Sequence, residues 1–517
     1  MPTDSTTTPA TPAAPAAPAT PAAPSAPTAR TGATPATGAG ATTTAATATT
    51  TATATPTAPG QQLGARAKLI LFVLCAAQFM VALDFSILNV ALPVLGADLG
   101  MSRANLQWAV TAFALPSGGF LLLFGRIADL YGRRRLFLTG LALFAVASLL
   151  ATLAWNPAAF LAARALQGLG AAMVVPTGMS LLTTTFPEGP QRERALGISG
   201  TLLSLGFTIG VVLGGTLTDA FGWRSTMGLL AGVAVLVLAA APGLLTESRH
   251  PGRPRIDVPG AVTVTGGLLA LIYALSTAAQ HGFGGADVIV TLVLGPLLLG
   301  AFALVESRAA EPMVSLAMLR RRSVAFGNLA GLATFSMMSS VVFLLTLYLQ
   351  EVRGLSAFRT GLVFGVQGVF AAVTGMTAAR VIGRIGARAT VLTGLAVQAL
   401  LTLPLLLLGP GSAGTWLALA AVSLACVGHL LVVVSYGITA TSGLPDHEQG
   451  LATGLVTSSQ QVGMTIGIPL LSALAAARPH FLSGLHLALG VDAAVLAAAA
   501  LLVAAGLPRL ARSASAR

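Results

Sequence analysis

Charge is what this sequence has least of. Only 9% of its 517 residues are Asp, Glu, Lys or Arg, and 55% are hydrophobic. A water-soluble domain carries roughly a quarter of its residues charged, so this chain cannot clothe itself in polar surface and belongs in a bilayer. Lysine is almost missing: Lys68, in GARAKL, is the only one. No GxxxxGK[ST] phosphate loop can therefore be assembled, which excludes direct use of ATP by this chain. The two cysteines, Cys75 and Cys426, each lie in an apolar run, so neither a disulfide framework nor a paired-cysteine metal site is available. There is no HExxH and no dinucleotide-type glycine loop between a strand and a helix. No cofactor, metal or enzymatic activity is expected, and an ion gradient remains as the energy source.

The first sixty residues are almost entirely Ala, Thr and Pro with Asp4 and Arg30 as the only charges, a composition expected to be disordered. They lack the basic start and leucine-rich centre of a cleaved signal peptide. From Lys68 onward, apolar stretches near the roughly 20 residues needed to cross a bilayer follow one another with short polar breaks. Fourteen spans are expected, at 68–95, 105–124, 136–154, 158–186, 195–219, 225–245, 259–279, 288–305, 324–349, 359–378, 390–409, 416–440, 450–476 and 486–507. Basic residues in short loops stay on the cytoplasmic side. With the N-terminus inside, 22 of the 28 Lys and Arg fall in inner segments, 5 in outer loops, and Arg164 falls inside the fourth span. Both termini are thus expected in the cytoplasm. The formal charge of +12 reflects topology, not nucleic-acid binding.

The most charged stretch is GRIADLYGRRR, Gly125 to Arg135, between spans 2 and 3. Shifted by 254, Ala379 to Arg388 reads ARVIGRIGAR. This matches Arg126 with Arg380, Gly132 with Gly386 and Arg134 with Arg388, while Gly383 replaces Asp129. Leu138 to Ala142 continues onto Leu392 to Ala396, and at a shift of 257 GFTIG from Gly206 meets GMTIG from Gly463. Spans 1 to 6 therefore repeat as spans 9 to 14 in parallel, with spans 7 and 8 inserted. The expected organisation is a tail at 1–65, a six-helix half at 66–246, an inserted hairpin at 247–322, a second half at 323–507 and a short tail at 508–517.

These residues resemble a major facilitator superfamily transporter of the fourteen-helix drug:proton antiporter family. The loop pattern is carried by Gly125, Asp129, Gly132, Arg133 and Arg134. The first-helix pattern is carried by Asp84, Asn89, Ala91, Leu92 and Pro93, and the fourth-helix pattern by Arg164, Gln167, Gly168, Gly170, Ala171 and Ala172. Gly206, Gly210, Gly214 and Gly215 stand where the family has its antiporter motif, with Val211 in place of its proline. The resemblance implies an all-α membrane protein that alternates access between two halves. In it the Asp129 loop latches the cytoplasmic side against the start of span 13, near Gly450.

Proton coupling needs a titratable group at membrane depth. Asp84 is the strongest candidate, with Arg164 at similar depth as its partner, because buried charge in a bilayer is costly and usually functional. His429 is a weaker candidate, and Asp492 is expected at the outer interface. Gly206, Gly210, Gly214, Gly215, Gly463 and Gly467 are expected to let helices pack backbone to backbone. Asn89, Trp108, Phe113, Gln167, Phe335, Met337, Met338, Gln367, Gln460 and Gln461 are polar, aromatic or pliable candidates for a lipophilic substrate path. Trp108 could equally anchor the outer interface. The expected function is proton-coupled efflux of lipophilic drugs or antibiotics across the cytoplasmic membrane by a monomer. A proton-coupled solute symporter of the same superfamily, or a transporter-like sensor or scaffold, stands as the alternative.

Overall fold

The computed structural model describes residues 64–507, apart from 187–189, 248–256, 310–315 and 442–445. Of the expected tails at 1–65 and 508–517, residues 1–63 and 508–517 lie outside the described residues, while α1 already begins at Ala65. The chain is helical throughout what is described: α1 Ala65–Leu99, α2 Arg103–Gly119, α3 Leu121–Tyr131, α4 Arg133–Thr152, α5 Pro157–Thr185, α6 Pro190–Phe221, α7 Arg224–Leu244, α8 Val258–His281, α9 Ala286–Glu306, α10 Leu316–Leu319, α11 Arg322–Leu347, α12 Ala357–Ile385, α13 Ala387–Thr402, α14 Ala413–Thr441, α15 Asp446–Ala476 and α16 Phe481–Gly506. Among the described residues eleven helices are long and apolar enough to cross a membrane, or twelve if the bent pair α2 and α3 is one span. The protein is a multi-pass membrane protein.

Local chemistry sets the helix ends. Asn156 accepts a hydrogen bond from the Ala159 amide at 2.8 Å with Pro157 in the first turn of α5, and Asp257 does the same for the Gly260 amide at 2.9 Å ahead of α8. The span expected at 105–124 is bent by 43°. Pro116 offers no amide to the Ala112 carbonyl, and two glycines follow it, so the helix yields at Phe120. Gly132 and Gly386, the pair at offset 254, both turn the chain at positive φ, 111° and 84°. A side chain there would be strained, which is why both turns carry glycine.

The helices pack as two bundles. In the first, α1 lies on α6, α4 on α5 and α7, and α2 on α5; in the second, α11 lies on α15 and α14, and α13 on α14 and α16. The bundles meet along two seams, α6 with α12 and α2 with α15, while α8 covers the α2 and α15 seam and carries α9. Burial follows: 89% of the central stretch of α11 is enclosed, against 17% of that of α9.

The small residues make the crossings. A Cβ on Gly214 would lie 2.5 Å from the Ile87 carbonyl oxygen, and one on Gly206 3.0 Å from that of Phe79, so α6 rides directly on the backbone of α1. In the second bundle Gly463 meets the Leu332 carbonyl at 2.7 Å, and Gly467 meets Ser336, putting α15 on α11 in the same way. Gly140 with Gly170 and Gly394 with Gly428 form the matching α4–α5 and α13–α14 crossings. Gly215 differs: its missing Cβ would fall 2.5 Å from the Ala357 carbonyl on α12, across the seam between bundles.

Candidate functional site

The site is built where α1, α2, α4 and α5 converge. Asp84 is nineteen residues into α1, and Arg164 is seven into α5. Gly168 lets α5 press onto the α2 backbone at Phe113, which brings Arg164 within reach of both neighbouring helices. Arg164 Nη1 donates to Asp84 Oδ1 at 2.6 Å and to Gln167 Oε1 at 2.9 Å, and Nε donates to the Ala109 carbonyl at 3.1 Å. Its guanidinium sits 4.5 Å from the centre of the Phe113 ring, which in turn meets Phe85 edge-on at 5.0 Å. Gln167 passes its own amide hydrogen to Ser148 Oγ at 2.7 Å, and Ser148 is anchored on the Phe144 carbonyl. Asp84 is 0% and Arg164 1% exposed.

One atom is left over. Asp84 Oδ2 has no hydrogen-bond partner, although it is buried. A buried acceptor without a donor costs about 1–3 kcal/mol, more when charged, so it is normally filled by a proton, a water or a ligand. Because Arg164 binds the other oxygen, Oδ2 can take a proton or a cationic group without first breaking the 2.6 Å contact. A proton bound there would cancel the charge that ties Asp84 of α1 to Arg164 of α5.

The other sequence candidates scatter. Asn89 donates to the Phe85 carbonyl at 2.7 Å and keeps a buried Oδ1 without a partner. Gln367 lies 3.9 Å from Met338 Sδ, with its Oε1 likewise unpartnered. Phe113 is fully enclosed and serves as the lid over Arg164. Trp108 turns to Tyr273 of α8 at 6.1 Å, so it faces the inserted pair of helices. Met337 is buried on α11. Phe335 packs edge-on against His429 at 5.1 Å and against Tyr436 at 6.2 Å. Gln461 is buried and Gln460 half-buried on α15.

In the GRIADLYGRRR loop, the Asp129 side chain lies outside what is described, as do the side chains that open α15 ahead of Gly450, where the latch was expected. Gly125 makes no close approach: its missing Cβ would be 3.9 Å from Pro176, an ordinary contact. The partner of this loop is Glu247, which the sequence reading missed. Glu247 accepts from the backbone amides of Arg134 and Arg135 at 3.1 and 3.3 Å and pairs with the Arg135 side chain at 3.8 Å. It thereby caps the positive end of α4. Arg134 also reaches the Pro242 carbonyl at 2.9 Å, while Arg133 stands half-buried.

At the face that the charge bias assigns to the outside, the bundles are joined by contacts no motif announces. Gln350 Nε2 donates to the Val90 carbonyl at 2.7 Å, and the Phe358 amide to Asp219 Oδ2 at 3.1 Å. Within the first bundle, Asp98 accepts from Trp223 and Arg224 at 2.9 and 2.5 Å. Asp492, expected at an interface, is instead fully buried, because α16 begins at Phe481, five residues before the expected span.

The Major Facilitator Superfamily model matches residues 74–468. This chain belongs to that superfamily. Among curated relatives it is 40% identical over 405 residues to the cephamycin export protein CmcT of Amycolatopsis lactamdurans, covering 78% of this chain and 83% of that one. It is 38% identical over 418 residues to the puromycin resistance protein pur8 of Streptomyces alboniger, with 78% and 80% covered. It is 33% identical over 399 residues to the multidrug resistance protein Stp of Mycobacterium tuberculosis, with 77% and 74% covered. Among solved structures, the peptide transporter POT in complex with sulfate superposes with a TM-score of 0.65 at 16% identity, covering 84% of this chain and 93–94% of that one across two such structures. At that identity the likeness concerns the fold.

Proposed function

We propose that this protein exports lipophilic drugs or antibiotics, cationic or amphipathic, from the cytoplasm in exchange for protons. The observation that carries the reading is the enclosed Asp84–Arg164 pair with one carboxylate oxygen unfilled. Export is supported by the relatives, which are named for cephamycin export, puromycin resistance and multidrug resistance. In this reading α6, with its apolar stretch Leu205–Phe221, and α15 also cross the bilayer. That makes fourteen spans: six at 66–246, an inserted pair at 247–322 and six at 323–507, with both termini in the cytoplasm and a monomer as the working unit.

The joined outer face then corresponds to a conformation shut toward the outside. A substrate entering from the cytoplasm competes for Asp84, by cation or by hydrogen-bond donor, and displaces its proton or its arginine. The carboxylate is reloaded by a proton when the outer side opens. Asp129, Gly125, Gly132, Arg133 and Arg134 form the cytoplasmic gate. Asn89, Gln167, Phe335, Met338, Gln367, Gln460 and Gln461 border the substrate path, while Trp108 and Phe113 contribute by supporting it.

Everted membrane vesicles from an efflux-deficient host test this directly. Uptake of labelled puromycin should follow an imposed pH gradient, survive omission of ATP and collapse with a protonophore. Uptake indifferent to the gradient rejects proton coupling. Absence of uptake of puromycin, a cephamycin and tetracenomycin alike rejects the substrate class.

A further inference from the structure

Asp492 sits eleven residues from the start of α16 and fourteen from its end, about 17 Å and 21 Å along the axis, near mid-depth. It is completely buried, and neither carboxylate oxygen has a hydrogen-bond partner. The helices packed on α16 are α11, α13 and α15, together with the 3₁₀ turn Leu403–Leu407 that follows α13. Charge on them is remote. On α13 Arg388 donates to the Ala504 carbonyl, twelve residues further along α16. On α11 only Arg322, its first residue, is charged, and on α15 only Asp446, His447 and Glu448 in the first turn; the 3₁₀ turn carries none. On α16 itself the only other titratable group is His486, whose Nε2 lies 2.9 Å from the Leu408 carbonyl. A carbonyl only accepts, so that nitrogen bears the hydrogen.

An ionised carboxylate in this place would be a full charge with neither cation nor donor, which a protein interior in a bilayer does not tolerate. Thr402 lies beside Asp492 and donates to the Gln398 carbonyl at 2.9 Å. Gln398 leads onward: its Oε1 accepts from Thr334 at 2.6 Å, and Thr334 Oγ1 is 2.8 Å from His429 Nδ1. A row of polar side chains thus runs from α16 through α13 and α11 to α14.

The repeat places this row in register with the first site. Ser148 and Thr402 are related by the offset of 254 that relates Gly132 to Gly386. Ser148 accepts from Gln167, two links from Asp84; Thr402 lies beside Asp492. Equivalent positions in the two bundles thus belong to polar rows that lead to a buried carboxyl, one with an arginine and one without. The wall beside Asp492 can also rearrange. Pro404 supplies no amide to the Leu400 carbonyl, and α13 tightens there into the 3₁₀ turn.

We propose that Asp492 is a second proton-binding site, in the opposite half from Asp84, loaded in this conformation and emptied when α13 and α16 rearrange. The inference rests on the proton-coupled reading only for the use of that proton in transport. The test needs no substrate. Purified full-length protein in detergent is stepped from mildly acidic to alkaline solution, and the protons released are counted with a pH-sensitive dye. Infrared difference spectra follow the carboxylic-acid carbonyl band in parallel.

Wild type should release one more proton per chain than Asp492→Asn and should lose an acid band that the variant lacks. Asp84→Asn should retain that band and that proton. Thr402→Ala should keep the proton but move its midpoint, which also covers the case of an Asp492 variant that fails to fold. A band that persists through the step makes Asp492 a permanently protonated packing residue and overturns the proposal. So does loss of the band in Asp84→Asn, which would make the two acids one site, or release of the proton by sodium at constant pH, which would make it a metal-cation site. Equal release from wild type and Asp84→Asn would instead count against Asp84 and leave Asp492 standing.

Discussion

Removing Arg164 should produce a stability defect that depends on pH. Arg164→Ala deletes the donors to Asp84, Gln167 and the Ala109 carbonyl together with the cation over Phe113. Part of that loss is independent of pH: two hydrogen bonds and lost packing, about 2–3 kcal/mol. The remainder is the fate of Asp84. Left ionised and unpaired it costs about 3–5 kcal/mol, the penalty for breaking a buried pair by removing one member. Taking a proton instead, at pH 7, costs about 4 kcal/mol, since an ordinary aspartate titrates roughly three pH units lower and each unit is worth about 1.4 kcal/mol. The two routes cost about the same at pH 7, but the second falls to about 1.5 kcal/mol at pH 5. Arg164→Ala should therefore gain about 2–3 kcal/mol relative to wild type between pH 7 and pH 5. The double variant Asp84→Asn with Arg164→Ala, which has no charge to lose, should show no such gain and should exceed the single variant in stability at pH 7. Thermal unfolding in detergent at both pH values reads the difference. A defect of equal size at the two pH values, or a double variant no better than the single, would refute the reasoning.

Four further outcomes are expected. Gly214→Val drives a side chain into the Ile87 carbonyl within one bundle and should cost about 1–3 kcal/mol of stability, seen as lower yield and melting temperature. Gly215→Val meets Ala357 of the other bundle instead, so it should fold yet expose engineered outer-side cysteines to membrane-impermeant thiol reagents; unchanged labelling would contradict the seam described above. Glu247→Gln should weaken the cap on α4 by about 0.5–2 kcal/mol without changing topology, measured by melting and by loop accessibility. Asp129→Asn should insert normally and slow transport severely, and normal turnover at normal expression would leave the loop arginines a role in orientation only.

The sequence exposed what is repeated or costly. Asp84 and Arg164 stood out because charge in apolar spans is rare, and their similar depth along two helices anticipated the 2.6 Å contact. Of the glycines that recur at fixed offset, Gly206 and Gly463 sit at helix crossings, and Gly132 and Gly386 at turns. Hidden were contacts set by rotation about a helix axis or by chain reversal over long separations. Glu247 reaches the turn at Gly132 across 113 residues, and Gln350 reaches Val90 across 260; neither has a local pattern. Trp108 and Phe113 were legible as aromatics on the right helix, but their neighbours, Tyr273 and Arg164, depend on rotation about the axis of α2. Asp492 was placed too near the helix end because α16 starts at Phe481, ahead of the expected 486, with the polar Ser483 inside it. Chemistry shared with a neighbour, as in Thr334, Gln398 and His429, leaves no signature in any one segment.

The central claim is that Asp84 exchanges a proton for substrate. Purified protein in weakly buffered detergent, mixed with puromycin, should acidify the solution by a stoichiometric fraction of a proton per chain, and Asp84→Asn should bind puromycin with that release abolished. Undiminished release from Asp84→Asn would contradict the account and move the coupling to another residue, with His429 the first to substitute.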